Sequence, residues 1–123
     1  MIEEWRADIP IYKQLESRII SWILNEEFKE GEALPSVRKL SVEFQINHLT
    51  VAKSLQDLVA ENILEKRRGL GMFVQTGAIN KLKDIEKQKF IESELPKFIT
   101  RLRELNIDQE ELIQAIKQVE GQL

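Results

Sequence analysis

The chain has 123 residues, 42% of them hydrophobic, which suits one ordinary domain, or a domain with an appendage, built on a real core. It has no cysteine and one histidine, His48, so disulfide frameworks, thiol nucleophiles and His/Cys metal sites are excluded, and a reducing compartment, the cytoplasm, is expected. A formal charge of −3 argues against a generic nucleic-acid binder, and no Ser-His-Asp spacing or glycine-rich phosphate loop points to catalysis. No enzyme activity, catalytic residue, cofactor or metal is therefore expected. Met1 is followed by Glu3 and Glu4, and the apolar runs are short and broken by charge, which speaks against a leader or a membrane span.

The first predicted element is a helix from Pro10 to about Glu26, with Ile11, Leu15, Ile19 and Ile23 on one stripe and a proline suited to its start. After a turn at Glu30-Gly31-Glu32, Pro35 blocks helix and Ser36 caps a short second helix whose stripe is Val37, Leu40 and Phe44. Gln45-Ile46-Asn47 interrupts, and a third helix capped by Asn47 carries Val51, Leu55 and Leu58 inward to near Glu61. Ile63 to Arg67 and Met72 to Gln75 read as strands joined through Arg68-Gly69-Leu70-Gly71, a hairpin with a basic tip. From Ala78 the sequence becomes charged and helical, with apolar residues from Leu82 to Leu105. Pro96 either kinks that helix or starts a new one. Asp108 then caps a last helix, with Glu111 three residues on in a capping box.

Charge follows this division. Residues 1–33 hold four Lys/Arg against eight Asp/Glu, residues 34–76 six against four, and residues 77–123 eight against nine. The positive excess lies in the middle, as Arg38-Lys39, Lys53 and Lys66-Arg67-Arg68, and reads either as ordinary solvated surface or as a small basic face. Two short helices with a tight turn, followed by a basic-tipped hairpin, give the order of a winged helix-turn-helix. At 100° per residue, Leu49, Thr50, Lys53, Gln56 and Asp57 point away from the inward stripe of the third helix. Lys53 suits a phosphate or guanine edge, Gln56 an adenine, Thr50 a phosphate and Leu49 a thymine methyl, whereas Asp57 suits none and is expected outside the groove. His48 reads as a surface residue or a phosphate or base contact. Leu49 either meets a methyl or folds back onto the turn. Trp5, Tyr12 and Trp22 read as core or dimer packing.

The Pro-Ile-Tyr opening at residues 10–12, Gly31, LPSVRKLS at 34–41, Asn47, Thr50, Val51 and Lys53, Leu58 and Glu61, and RRGLGMFV at 67–74 together resemble the GntR transcriptional regulators. The resemblance covers the N-terminal two-thirds. It implies a double-stranded DNA operator as partner, with Ser36, Arg38, the helix start at Asn47, His48, Leu49, Thr50 and Lys53, and the wing residues Arg67, Arg68 and Gly69 at the DNA. Only residues 77–123 follow the wing, and LRELNIDQEELIQAI at 102–116 is similar to the short-tailed YtrA subfamily, whose tail dimerises. The resemblance thus implies residues 1–76 as a DNA-binding domain and 77–123 as a helical dimerisation tail, in a homodimeric repressor of transporter genes with no membrane part. Where that subfamily commonly reads Asn-Pro-Asn-Thr, this chain has Asn47-His48-Leu49-Thr50, so the operator sequence does not transfer. The apolar tail stripe is expected to be buried in the dimer, the other reading being a small-molecule effector pocket. A winged helix that binds only protein is the competing function, and cations at Arg38, Lys53 and Arg68 distinguish the two.

Overall fold

In a computed structural model the described residues are 5–123, so Met1, Glu3 and Glu4, on which the reading against a leader rests, lie outside the described residues. The described chain is mainly helical with one two-stranded antiparallel hairpin, and it divides into two compact units, one ending at Asp84 and the other spanning Ile85–Leu123.

Helix α1 (Ile11–Leu24) starts behind Pro10, whose carbonyl accepts the N–H groups of Lys13 and Gln14, and buries Leu15, Ile19 and Ile23 as one stripe. Helix α2 (Val37–Phe44) is capped as its sequence predicts: the Ser36 hydroxyl oxygen accepts the Lys39 N–H at 3.1 Å. It ends at Gln45, which takes the left-handed conformation at φ 54°, and Ile46 turns into the core before Asn47 caps helix α3 (His48–Ala60) by accepting the Leu49 N–H at 2.8 Å. Val51, Leu55 and Leu58 face inward with Leu15, Ile19, Ile23, Leu40 and Phe44, and each fully buried side chain of this kind contributes about 1.5–3 kcal/mol. Phe44 stacks on Trp22 at 5.9 Å and meets Trp5 edge-on at 6.2 Å, which puts both tryptophans in the packing of the head. Tyr12 is half-buried against α3.

Strands β1 (Leu64–Arg67) and β2 (Gly71–Val74) pair in register from Leu64 opposite Val74 to Arg67 opposite Gly71. Gly69 at φ 77° and Gly71 at φ 114° supply the positive angles that the tight connection needs and that a side chain would strain. The segment before α2 adds itself to the outer side of β2: Gly31 N–H donates to Val74, Val74 N–H to Glu32 and Leu34 N–H to Met72, all at 2.8–2.9 Å. The hairpin is therefore fastened to the loop that delivers Ser36.

Helix α4 (Ala78–Lys89) opens under a long-range cap, with the Glu30 carboxylate accepting the N–H groups of Gly77 at 2.9 Å and Ile79 at 3.1 Å. Those two backbone donors hold the Glu30 carboxyl below the ordinary carboxylate range. Ala78 and Leu82 are buried in the same core as α1–α3, so the start of α4 packs with the head.

In the second unit a π-helical turn, Phe90–Glu94, leads into helix α5 (Leu95–Glu104), with the Leu95 N–H reaching the Phe90 carbonyl. Pro96 sits in the first turn of α5. Its ring would crowd the carbonyl four residues back and it has no N–H to offer, and the widened turn removes both conflicts. Helix α6 (Gln109–Gln122) is capped by Asp108, which accepts the Glu111 N–H at 2.8 Å. Leu95, Phe98, Leu102, Ile107 and Leu112 line a groove of about 550 Å³ between α5 and α6. Phe90, Ile91, Phe98, Ile99, Leu105, Ile113, Ile116 and Val119 remain exposed. Among the described residues no helix is long and apolar enough to cross a membrane, and no group of three or more His, Cys, Asp or Glu is placed to hold a metal ion.

Candidate nucleic-acid interface

The α2–turn–α3 unit exposes the first turn of α3. His48 and Leu49 are exposed there, Leu49 at 68%, which places its side chain away from the turn on which it was alternatively expected to fold. Around α3 the two flanks differ. Gln56 lies on the wing side and, with Ser36 of α2 and Lys66, Arg67 and Gly69 of the wing, lines a cleft of about 430 Å³. Thr50, Lys53 and Asp57 lie on the α1 side, where Thr50 and Asp57 are half-buried. The Lys53 Nζ stands 4.6 Å from the Tyr12 ring centroid and 3.7 Å from Asp57 Oδ2. Three elements thus bring Ser36, Gln56, Arg67 and Gly69 together, whereas Thr50 and Lys53 occupy the opposite flank.

The cations also fall into two groups. Arg67 is committed: its guanidinium lies 4.1 Å from the Phe73 ring centroid and its Nη2 is 3.4 Å from Glu65 Oε2. Arg38, Lys39, Lys66 and Arg68 are exposed and, among the described residues, make no ion pair. Arg38 borders a shallow groove with Ser36, Lys39 and Val42, so Ser36 is the ridge between that groove and the wing cleft. Arg68 and Leu70, the latter 71% exposed, stand at the wing tip. Unneutralised cations on α2 and the wing, together with the exposed start of α3, present what a duplex requires: donors for phosphates beside an element narrow enough for the major groove.

Sequence reasoning missed two residues behind this surface. Ser54 is fully buried, its hydroxyl donating to the Tyr12 carbonyl at 2.8 Å and so tying α3 to α1. Its place on the inward face between Val51, Leu55 and Leu58 was the available signal. Glu16 of α1 is the other. One of its oxygens is buried with no hydrogen-bond partner among the described residues, and its carboxyl is pushed up to about 7. Burial is the main cause, followed by the hydrogen bond to Asp57 and the repulsion of Asp57 and Glu61, with Lys53 opposing. Asp57, expected outside the groove, is engaged here between Glu16 and Lys53.

Comparison with known proteins decides what this surface belongs to. Residues 11–74, from the start of α1 to the end of β2, match the model of bacterial regulatory proteins, gntR family. The chain belongs to that family. It is a DNA-binding transcription regulator by membership, with α3 as its recognition helix and the β1–β2 hairpin as its wing. It is 31% identical to the HTH-type transcriptional repressor YtrA of Bacillus subtilis, over 93% of this chain and 87% of that protein. A GntR family transcriptional regulator from Listeria monocytogenes has a similar structure, with a TM-score of 0.76 and 26% identity over 93% of this chain and 98% of that one, so the likeness extends through the helical tail. The DNA-binding domain of AraR, solved in complex with operator ORX1, matches 60% of this chain and 94% of its own length, with a TM-score of 0.56 and 26% identity.

Proposed function

We propose that this regulator is a repressor that binds an inverted-repeat operator in double-stranded DNA as a homodimer, residues 1–76 reading DNA and residues 77–123 pairing two copies. The observation that carries the reading is the pair of exposed cations, Arg38 on α2 and Arg68 at the wing tip, neither in an ion pair among the described residues. Helix α3 enters the major groove through its first turn, with Asn47, His48, Leu49 and Thr50 nearest the bases and Lys53 at the groove's edge. Ser36 and Arg38 at the start of α2 take the backbone on one side, and Arg67, Arg68 and Gly69 of the wing take it on the other. The solved AraR domain with operator DNA supports this arrangement, and the repressor YtrA supports the sign of regulation. The apolar residues left exposed on α5 and α6 are covered by a second copy, which leaves little room for an effector. As a regulator of transporter genes it would act in the cytoplasm. A module that bound only protein would have no use for unneutralised arginines on both α2 and the wing tip.

Selection from random duplex DNA tests the proposal. The expected product is a two-fold symmetric site whose half-sites lie one or more helical turns apart, about 34–36 Å per turn. Failure to enrich any sequence, or enrichment of a single asymmetric site, would overturn it. Within each half-site Leu49 supplies a local test. Its exposed side chain gains about 1 kcal/mol or less from burying methyl area against thymine. Leu49→Asn should therefore change base preference at one position per half-site and leave the melting temperature nearly unchanged. A large fall in melting temperature with the same preference would show that Leu49 packs in the fold.

A further inference from the structure

The carboxyl pair beneath the recognition helix has no part in the core and no direct path to DNA, yet it touches the one recognition-helix cation that is already engaged. Lys53 Nζ is held from two sides, by Asp57 Oδ2 at 3.7 Å and by the Tyr12 ring at 4.6 Å. Asp57 is in turn hydrogen-bonded to Glu16, which reaches it from α1 and has its other oxygen buried without a partner among the described residues. A carboxyl in that position accommodates a proton more readily than a charge, and Asp57 is the carboxylate beside it that can accept the O–H.

We propose that the Glu16–Asp57 pair is a positioning device for the recognition helix, which sets whether the Lys53 ammonium stays on the α1 flank of α3 or is released to a DNA phosphate. This rests on the reading that Lys53 lies within reach of the DNA. When Glu16 carries its proton, Asp57 gives part of its charge to that hydrogen bond and a single anion faces Lys53. When Glu16 is ionised, two carboxylates face Lys53, with Glu61 adding a third negative charge from the end of α3. Lys81 of α4 also reaches this end of α3, where its Nζ is occupied by the Glu61 carbonyl. The Glu16 carboxyl titrates near 7, so the change falls in the physiological range, and DNA affinity falls as pH rises through that value.

The test is binding of the full chain to a labelled duplex recovered by selection from random DNA, titrated with salt one pH unit below and one above 7. The parent should bind more tightly at the lower pH, and its log–log salt slope should be steeper there by about 0.9 for each Lys53 recruited. Glu16→Gln keeps the shape and the donor to Asp57 and cannot ionise, so it should bind at the higher pH as the parent binds at the lower. Asp57→Asn removes the anion and should give the steeper slope at both pH values. A pH step that survives Glu16→Gln unchanged does not arise at Glu16 and overturns the proposal. Lys53→Ala separates the levels. If it flattens the slope while Glu16→Gln and Asp57→Asn do nothing, the positioning role fails and the DNA contact stands. If Lys53→Ala leaves the slope unchanged, both fail.

Discussion

Phe98→Asp with Ile116→Asp should convert the protein to a monomer and lower its affinity for the selected operator by roughly 10²–10⁴-fold, while the head keeps its fold. Both side chains are exposed on the second unit, on α5 and α6, at 49% and 43%. Burying either in a dimer contributes about 1.5–3 kcal/mol, and a carboxylate at the same place both removes that gain and would have to bury a charge in the interface. The loss in affinity comes from avidity, since two linked recognition helices make the second half-site encounter intramolecular. Sedimentation at micromolar concentration and operator titration check the two halves of the expectation, and a monomeric parent would end it. The head is insulated because the core that holds α1–α3 and the wing ends at Leu82. For the same reason a head-only fragment should end at Asp84. A cut near Thr76 would strip Ala78 and Leu82 from that core and expose its floor.

That distinction shows where the sequence was legible. Caps and turns depend on a few adjacent residues, so Ser36, Asn47 and Asp108 were readable as N-caps and each accepts the expected backbone N–H. Gly69 and Gly71 marked the wing connection for an equally local reason, their positive φ angles. Periodicity placed the inward stripe of α3 and, by rotation, the exposure of Leu49 and Gln56. What it did not convey depends on which helix lies alongside. Leu82 continues the apolar spacing of the tail, and only the packing of α4 assigns it to the head. Lys53 and Asp57 project at the angle expected of surface residues, and α1 crosses that flank, so one is engaged by Tyr12 and the other by Glu16. Arg67 and Arg68 are equivalent in sequence, and the strand register separates them, putting Arg67 beside Glu65 and Phe73 on one face of the hairpin. The π-helical turn before Pro96 had no counterpart in the pattern, because proline announces a conflict and not the way it is relieved.

The separation of Arg67 from Arg68 leads to the second large effect. The variant carrying Arg38→Ala and Arg68→Ala should lose much of its operator affinity, and its salt dependence should flatten. Each phosphate left without its cation takes about 0.9 off the log–log slope, and two residues in each of two subunits give a fall of roughly three to four units if all four meet phosphates. If one of the two reads a base edge, its share shows as relaxed preference at one position, at about 1–3 kcal/mol. Arg67→Ala is the comparison. Its guanidinium already rests on Phe73 and against Glu65, so a DNA phosphate must compete with both of those partners. It should flatten the slope less than Arg68→Ala alone does, and should loosen the hairpin more. Titrations of the three variants at several salt concentrations, with melting curves for each, discriminate these outcomes. If the double variant binds like the parent, α2 and the wing do not straddle the duplex, and the cations beside the recognition helix are ordinary surface.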